Sequence, residues 1–203
     1  EKNSSLFFQN CSFSGELRNG GLIKAEWSGT IIFKSCDFQR MTIIEAAIEY
    51  LIKIRSLDFF QLSDVSFSYE FFINRGLVSA KFVYLADFSN TQITNSRFGT
   101  FLLLEYSVFL SSFNLSIVNS TLFSPFFVIN SDFFFSYVYL NNLSFRFCDF
   151  SSEAIRFSHV KNLTIDGLLA DGNIIREFFL LILNCEIGVL RESLLHRHWF
   201  YRN

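Results

Sequence analysis

Apolar and polar positions along this chain repeat a six-residue phrase that reads apolar, any, Asn or Ser, small, any, Phe. Four close copies are Phe8-Gln9-Asn10-Cys11-Ser12-Phe13, Phe33-Lys34-Ser35-Cys36-Asp37-Phe38, Leu62-Ser63-Asp64-Val65-Ser66-Phe67 and Ile93-Thr94-Asn95-Ser96-Arg97-Phe98. Looser copies start at Ile117 (with Phe123 one residue late), Phe145, Ile165 and Ile182. The small position falls at 11, 36, 65, 96, 120, 148, 168 and 185, giving steps of 25, 29, 31, 24, 28, 20 and 17 residues. Self-similarity at a period of about 20–50 residues marks a solenoid, in which each unit buries its apolar face against its neighbours.

Within each copy the apolar residues alternate and then switch around the Asn or Ser. Phe, Ile, Val, Thr and Tyr dominate, which is strand chemistry. Helical spacing is weak outside 43–54 and 174–183. Pro occurs once and Gly nine times, so the bends fall to Asn, Asp and Ser, which tolerate left-handed backbone. A second strand recurs at Gly20-Gly21-Leu22-Ile23-Lys24-Ala25 and Ala154-Ile155-Arg156-Phe157. The expected class is all-β, a right-handed parallel β-helix solenoid of about eight coils over residues 1–190, with an irregular C-terminal extension at 191–203. A leucine-rich repeat would place two residues between the last apolar strand position and the Asn; Phe8-Gln9-Asn10 and Ile93-Thr94-Asn95 have one.

The two phrases together resemble the right-handed parallel β-helix of the pectin-lyase-like superfamily. More narrowly, they resemble the repeats of polymorphic outer-membrane proteins and of ciliate surface β-helix proteins. Asn10-Cys11-Ser12-Phe13, Asn95-Ser96-Arg97-Phe98 and Asn119-Ser120-Thr121 carry the likeness best. The resemblance implies a fold rather than an activity, because β-helices host unrelated roles.

Half of the residues are apolar and 29 are Phe, ample for a long core. The net charge of −2 shows no basic patch of the kind that binds nucleic acid. Tyr106 to Ser131 carries no charge but is rich in Ser and Asn and holds the one Pro, and Phe178 to Leu190 is short and contains Glu186. Neither reads as a membrane span of about 20 apolar residues. The phrase begins almost at Glu1, which suggests a fragment of a longer chain.

Cys11, Cys36, Cys148 and Cys185 all occupy the small position. One reading makes them small buried groups. The other stacks Cys11 on Cys36 in consecutive coils about 4.8 Å apart, within reach of a disulfide. Cys148 and Cys185 would have a coil between them and stay unbonded. Asp-Phe occurs at 37, 58, 87, 132 and 149, an outward polar residue beside an inward ring. A glycosidase needs two facing carboxylates, but the repeat neighbours of Asp37 are Ser12 and Ser66, and those of Asp149 are Thr121 and Leu169. His159 beside Lys161, and His196 with His198, offer acid–base or metal-binding chemistry only if a partner joins them. No nucleotide, metalloprotease or hydrolase motif occurs, and no cofactor is expected.

Six N-x-[ST] sequons stand at Asn3, Asn10, Asn114, Asn119, Asn142 and Asn162. Either the repeat writes Asn-x-Ser for its own structural reasons, or these are N-glycosylation sites of a secreted or surface protein. Asn3, Asn114, Asn142 and Asn162 precede strands and are the better acceptors; Asn10 and Asn119 lie within the phrase and could face inward in a ladder. The expected function is an extracellular structural or interaction scaffold: a glycosylated rod in a surface coat, adhesin or filament, touching other protein and stacking end to end. The alternative is a carbohydrate-active or carbohydrate-binding protein, which a cluster of exposed aromatic and acidic residues on one coil face would favour. A third reading is an intracellular subunit of a larger assembly, with free thiols and unmodified sequons.

Overall fold

A computed structural model describes residues 4–18, 21–26, 29–43, 50–68, 71–72, 76–130, 137–177, 179–191, 194–196 and 199–200. Among them every regular element is a β-strand. The 43–54 and 174–183 stretches, where helix was the alternative, hold the strands Tyr50–Ile54, Ile174–Ile175 and Leu180–Leu183 instead. Strands of successive coils pair in parallel in two sheets, one of 19 strands and one of 7. The chain is therefore a parallel β-solenoid. The larger sheet bends and covers two faces of each coil, and the smaller one covers the third.

The bend is legible in Phe109–Val118, whose burial alternates until Phe113 and Asn114 are both exposed, then resumes in the opposite phase. Strand alternation would send one of that pair inward. A left-handed residue at Asn114, with φ of 55°, turns the chain and resets the phase. Positive φ recurs in three columns, one per corner. The first runs Asn10, Ser35, Asp64, Asn90, Asn114, Asn142, Gly167. The second runs Gly15, Arg40, then Asn95, Asn119, Phe147, Gly172. The third holds Phe82, Tyr106, His159 and Asn184. Asn and Asp dominate because their short side chains bond locally and lower the cost of this region.

The columns explain the uneven steps of the phrase. Copies at 11, 36, 65 and 168 sit at the first corner, those at 96, 120 and 148 at the second, and that at 185 at the third. Along the first corner alone the period is 24–29 residues. The 7-stranded sheet has six steps between neighbours, so the body makes about six turns rather than the expected eight. The eight copies fall on seven coils, since those at 168 and 185 lie on two corners of one coil, and seven stacked coils are six steps. The C-terminal segment, expected to be irregular, continues the sheet with Leu194–His196 on Leu169–Asp171 and Trp199–Phe200 on Ile174–Ile175. The two copies of the second strand do share a column, with Ile23 and Ile155 both in the 7-stranded sheet.

The core is a set of ring and aliphatic ladders rather than the single Phe ladder that the phrase suggests. Phe8 stacks on Phe33 at 4.7 Å, Phe13 on Phe38 at 4.8 Å and Phe38 on Phe67 at 4.6 Å. Phe67 then pairs in register with Ile93, while Phe98 belongs to a different column, with Phe72 before it and Leu122 and Phe150 after it. Phe123 is half-buried because Leu122 takes the inward position.

Candidate functional site

Many of the corners share one device. Where the left-handed residue is followed by Ser, Thr or Cys, that side chain's hydrogen returns to the carbonyl two residues back; where Val65, Leu115, Leu143 or Leu168 follows, a buried apolar side chain takes the place. The examples are Ser96 to Thr94 at 2.8 Å, Ser120 to Val118 at 3.0 Å, and Cys11, Cys148 and Cys185 to Gln9, Arg146 and Leu183, each at 3.3 Å. The same atoms accept from the coil below: Ser96 N–H donates to Ser120 Oγ at 3.2 Å and Val160 N–H to Cys185 Sγ at 3.4 Å. Asn173, fully buried, ties its level to the neighbouring coil twice, accepting from Cys148 N–H at 2.8 Å and donating to Phe145 O at 3.1 Å. Backbone groups that the bend would orphan are thus satisfied. At Cys11, Cys36, Thr91, Ser96, Ser120, Cys148 and Cys185 the small position forms a polar spine rather than a mere space filler.

Four free thiols stand at these positions. Cys11 and Cys36 are in adjacent coils, as Asp37 N–H donates to Cys11 O at 2.9 Å, but the expected disulfide is not formed. Burial raises the Cys36 thiol above its ordinary range, with the nearby Cys11 thiol adding to the effect. Burial also pushes Cys148 up to about 11.

Outside the spine, the corner residues build ladders of their own. Asn90 donates to Asp64 at 2.9 Å, Asn114 to Asn90 at 3.0 Å and Asn142 to Asn114 at 3.0 Å. At the second corner Asn119 donates to Asn95 at 2.8 Å. The sequon residues Asn114, Asn119 and Asn142 therefore each commit an Nδ2 hydrogen to the ladder. Asn10 and Asn119 are exposed corner residues, not inward ones. Asn162 is exposed at the start of Asn162–Asp171. Asn3 lies outside the described residues.

Neither Asp37 nor Asp149 has a second carboxylate in register, and Asp132 lies outside the described residues. Asp37 accepts from Ser66 Oγ at 2.5 Å and has Ser12 and Ser66 in register. Asp149 binds Arg176 at 3.0 Å, with Thr121 and Ile174, not Leu169, as its neighbours. The buried Glu153 pairs with Arg156. His159 contacts Asn184 through Nε2 at 3.3 Å and Asn130 through Nδ1 at 3.4 Å, a link in the third-corner column. His196 pairs with Asp171 in the sheet; His198 lies outside the described residues. No cluster of three metal-ligating side chains occurs among the described residues, and no described helix is long and apolar enough to cross a membrane.

What the residue motifs missed is an aromatic strip on the first face. Phe59, Leu85, Phe109 and Tyr137 form one outward column. The Phe109 and Tyr137 rings stack at 5.2 Å, and Tyr84 meets Phe109 edge-on at 5.5 Å. Tyr84 is 58% exposed, Phe113 47% and Tyr139 44%. Beside the strip, Asp87 accepts from Gln61 at 2.9 Å and Ser111 at 2.7 Å. The sequence signal was Tyr137-Val138-Tyr139, two rings flanking an inward Val in strand alternation. The strip can stack against a flat apolar surface while polar neighbours hydrogen-bond around it. Asp58, which lies in register with Tyr84 in the neighbouring coil, adds a second carboxylate beside the rings. No family model, no curated protein and no solved structure matches this chain.

Proposed function

We propose that this chain is an extracellular structural or interaction scaffold: a stiff, glycosylated β-solenoid segment of a surface coat, adhesin or filament. The observation that carries the reading is the in-register continuity of the ladders, with the same corner column kept from Asn10 to Gly167. Such stacking makes a rod that repeats its surface every coil of about 4.8 Å. The resemblance of the phrases to the repeats of polymorphic outer-membrane proteins and ciliate surface β-helix proteins supports the same reading. So do the six sequons, several of them exposed. In the first described coil, the inward-column residues Leu6, Phe8 and Phe13 are exposed or half-exposed, a surface suited to a further coil. The test is intact mass of the protein from its native source, before and after glycosidase treatment, with sedimentation across a concentration series. A glycan mass shift and reversible end-to-end growth are expected. An unmodified monomer at all concentrations would favour an intracellular role.

A second reading, carbohydrate binding, is favoured by the aromatic strip beside Asp87. Its test is co-sedimentation with insoluble polysaccharides, where Tyr137→Ala with Tyr139→Ala should abolish retention.

A further inference from the structure

The outer surface of the 7-stranded sheet carries a groove that neither reading uses. Two adjoining hollows, about 460 and 470 Å³, share Lys53, Ser79 and Lys81. Lys24 and Lys53 occupy one column and Arg55 and Lys81 the next, so four cations gather on three successive coils of a chain whose net charge is −2. Lys24 pairs with Glu26 at 3.3 Å and Lys81 with Glu105 at 2.6 Å, while Arg55 has no ion-pair partner among the described residues. Aromatic rings close the two ends. Tyr50 lies at the start of its strand, its ring filling the space above Gly76, where an added Cβ would come within 2.1 Å. At the far end Phe82 stacks on Tyr106 at 5.2 Å. Both residues hold left-handed backbone, with φ of 54° and 55°, a strained state for bulky side chains. Phe82 is nonetheless 49% exposed.

We infer that this groove binds an extended acidic peptide segment of a partner protein, laid along the strands with carboxylates at alternate positions and an apolar side chain at each end. Along the strands the lining runs from Tyr50 to Arg55 on one coil and from Gly76 to Phe82 on the next, and each hollow crosses four coils. The outward residues Lys53 and Arg55 are two apart, about 6.6 Å, and an extended peptide repeats its own same-face side chains at that interval. Arg55 offers a planar fork for one carboxylate, and Lys53 a point charge for the next. The Lys24–Glu26 and Lys81–Glu105 pairs are partly solvated and weak, so both lysines can turn to a ligand. Glu26 and Glu105 favour a ligand with N–H donors over a phosphodiester chain, whose backbone offers only acceptors. This inference rests on the scaffold reading only in taking a protein as the partner.

The test titrates the full chain with the peptide Ac-Phe-Ser-Glu-Ser-Glu-Ser-Phe-amide by calorimetry. Its Glu-to-Gln counterpart, an oligogalacturonate and an oligothymidylate serve as the other arms. Saturable binding tighter than about 1 mM is expected for the acidic peptide alone. It should weaken at least about threefold in Lys53→Gln and in Arg55→Gln, and further in the double variant, with an unchanged urea midpoint because both side chains are exposed. Absence of peptide binding, equal binding of the Gln peptide, unaltered affinity in the double variant, or a saccharide or oligonucleotide that binds at least as tightly would each overturn the proposal. None of these outcomes bears on rod growth or glycan mass, so the scaffold reading stands or falls separately.

Discussion

Asn142 donates its side-chain amide to Asn114 Oδ1 at 3.0 Å, although 28 residues separate them. Asn114 passes the same bond on to Asn90, and Asn90 to Asp64. Each residue thus serves two ends at once: its backbone takes the left-handed turn, and its side chain ties that turn to the next coil. Asn114→Ala should lose two net hydrogen bonds of about 1 kcal/mol each and add about 1 kcal/mol of backbone strain. Asn114→Gly should lose the bonds without the strain. Urea denaturation is expected to rank wild type above Asn114→Gly above Asn114→Ala.

Among the described residues the first-corner column runs as far as Gly167, with φ of 73° and Asn142 Oδ1 only 2.6 Å from where a Cβ would stand. Gly167→Ala should destabilise by about 1–2 kcal/mol. Gly167→Asn should cost less, because its amide can rejoin the ladder once Asn142 takes the rotamer of its neighbours. Equal thermal midpoints for the two variants would count against the ladder as a source of stability.

Phe38 is clamped between Phe13 and Phe67 and fully buried. Phe38→Ala should cost about 3–5 kcal/mol. Phe123 occupies the matching place in the sequence phrase but is half-buried, so Phe123→Ala should cost about 1–2 kcal/mol. Denaturation of the two variants side by side separates the structural column from the sequence phrase.

Burial pushes the Cys148 thiol up to about 11 from 9.0. A thiol whose folded pKa is raised stays protonated while the unfolded chain ionises. Its contribution is fully present below about pH 9 and is lost as pH climbs toward 11. The difference is of the order of 2–3 kcal/mol. The urea midpoint should fall across this interval, and Cys148→Ser should flatten the fall, since Ser96 and Ser120 already fill equivalent positions one and two coils away. Native Cys148 should also resist alkylation at pH 8.5, where Cys11, half-exposed, reacts.

The parallel solenoid was legible because its rule is local and repeated. A left-handed residue, most often Asn or Asp, followed in many coils by a small hydroxyl or thiol and then by a Phe two residues later, leaves a recurring mark along the chain. The three corners were not separable, since all obey one backbone requirement and so write nearly one phrase. Asn95 and Asn184 look alike in the sequence, yet one turns the second corner and the other the third. Counting corners as coils inflated the number of turns and merged two Phe columns into one.

The sequence by itself determined the all-β class, the inward Phe positions Phe38, Phe67, Phe98 and Phe150, and the stacking of Cys11 next to Cys36. Those follow from alternation and period, which are properties of neighbouring residues. Only the tertiary structure decided which side chains share an outer column. Register across coils depends on how many residues each corner and loop consumes, and these vary between 24 and 29 per turn. Tyr84, Phe109 and Tyr137 meet on one face, and Lys24, Lys53, Arg55 and Lys81 in one groove, because parallel pairing aligns strands from separate coils. No spacing within a single coil records that alignment.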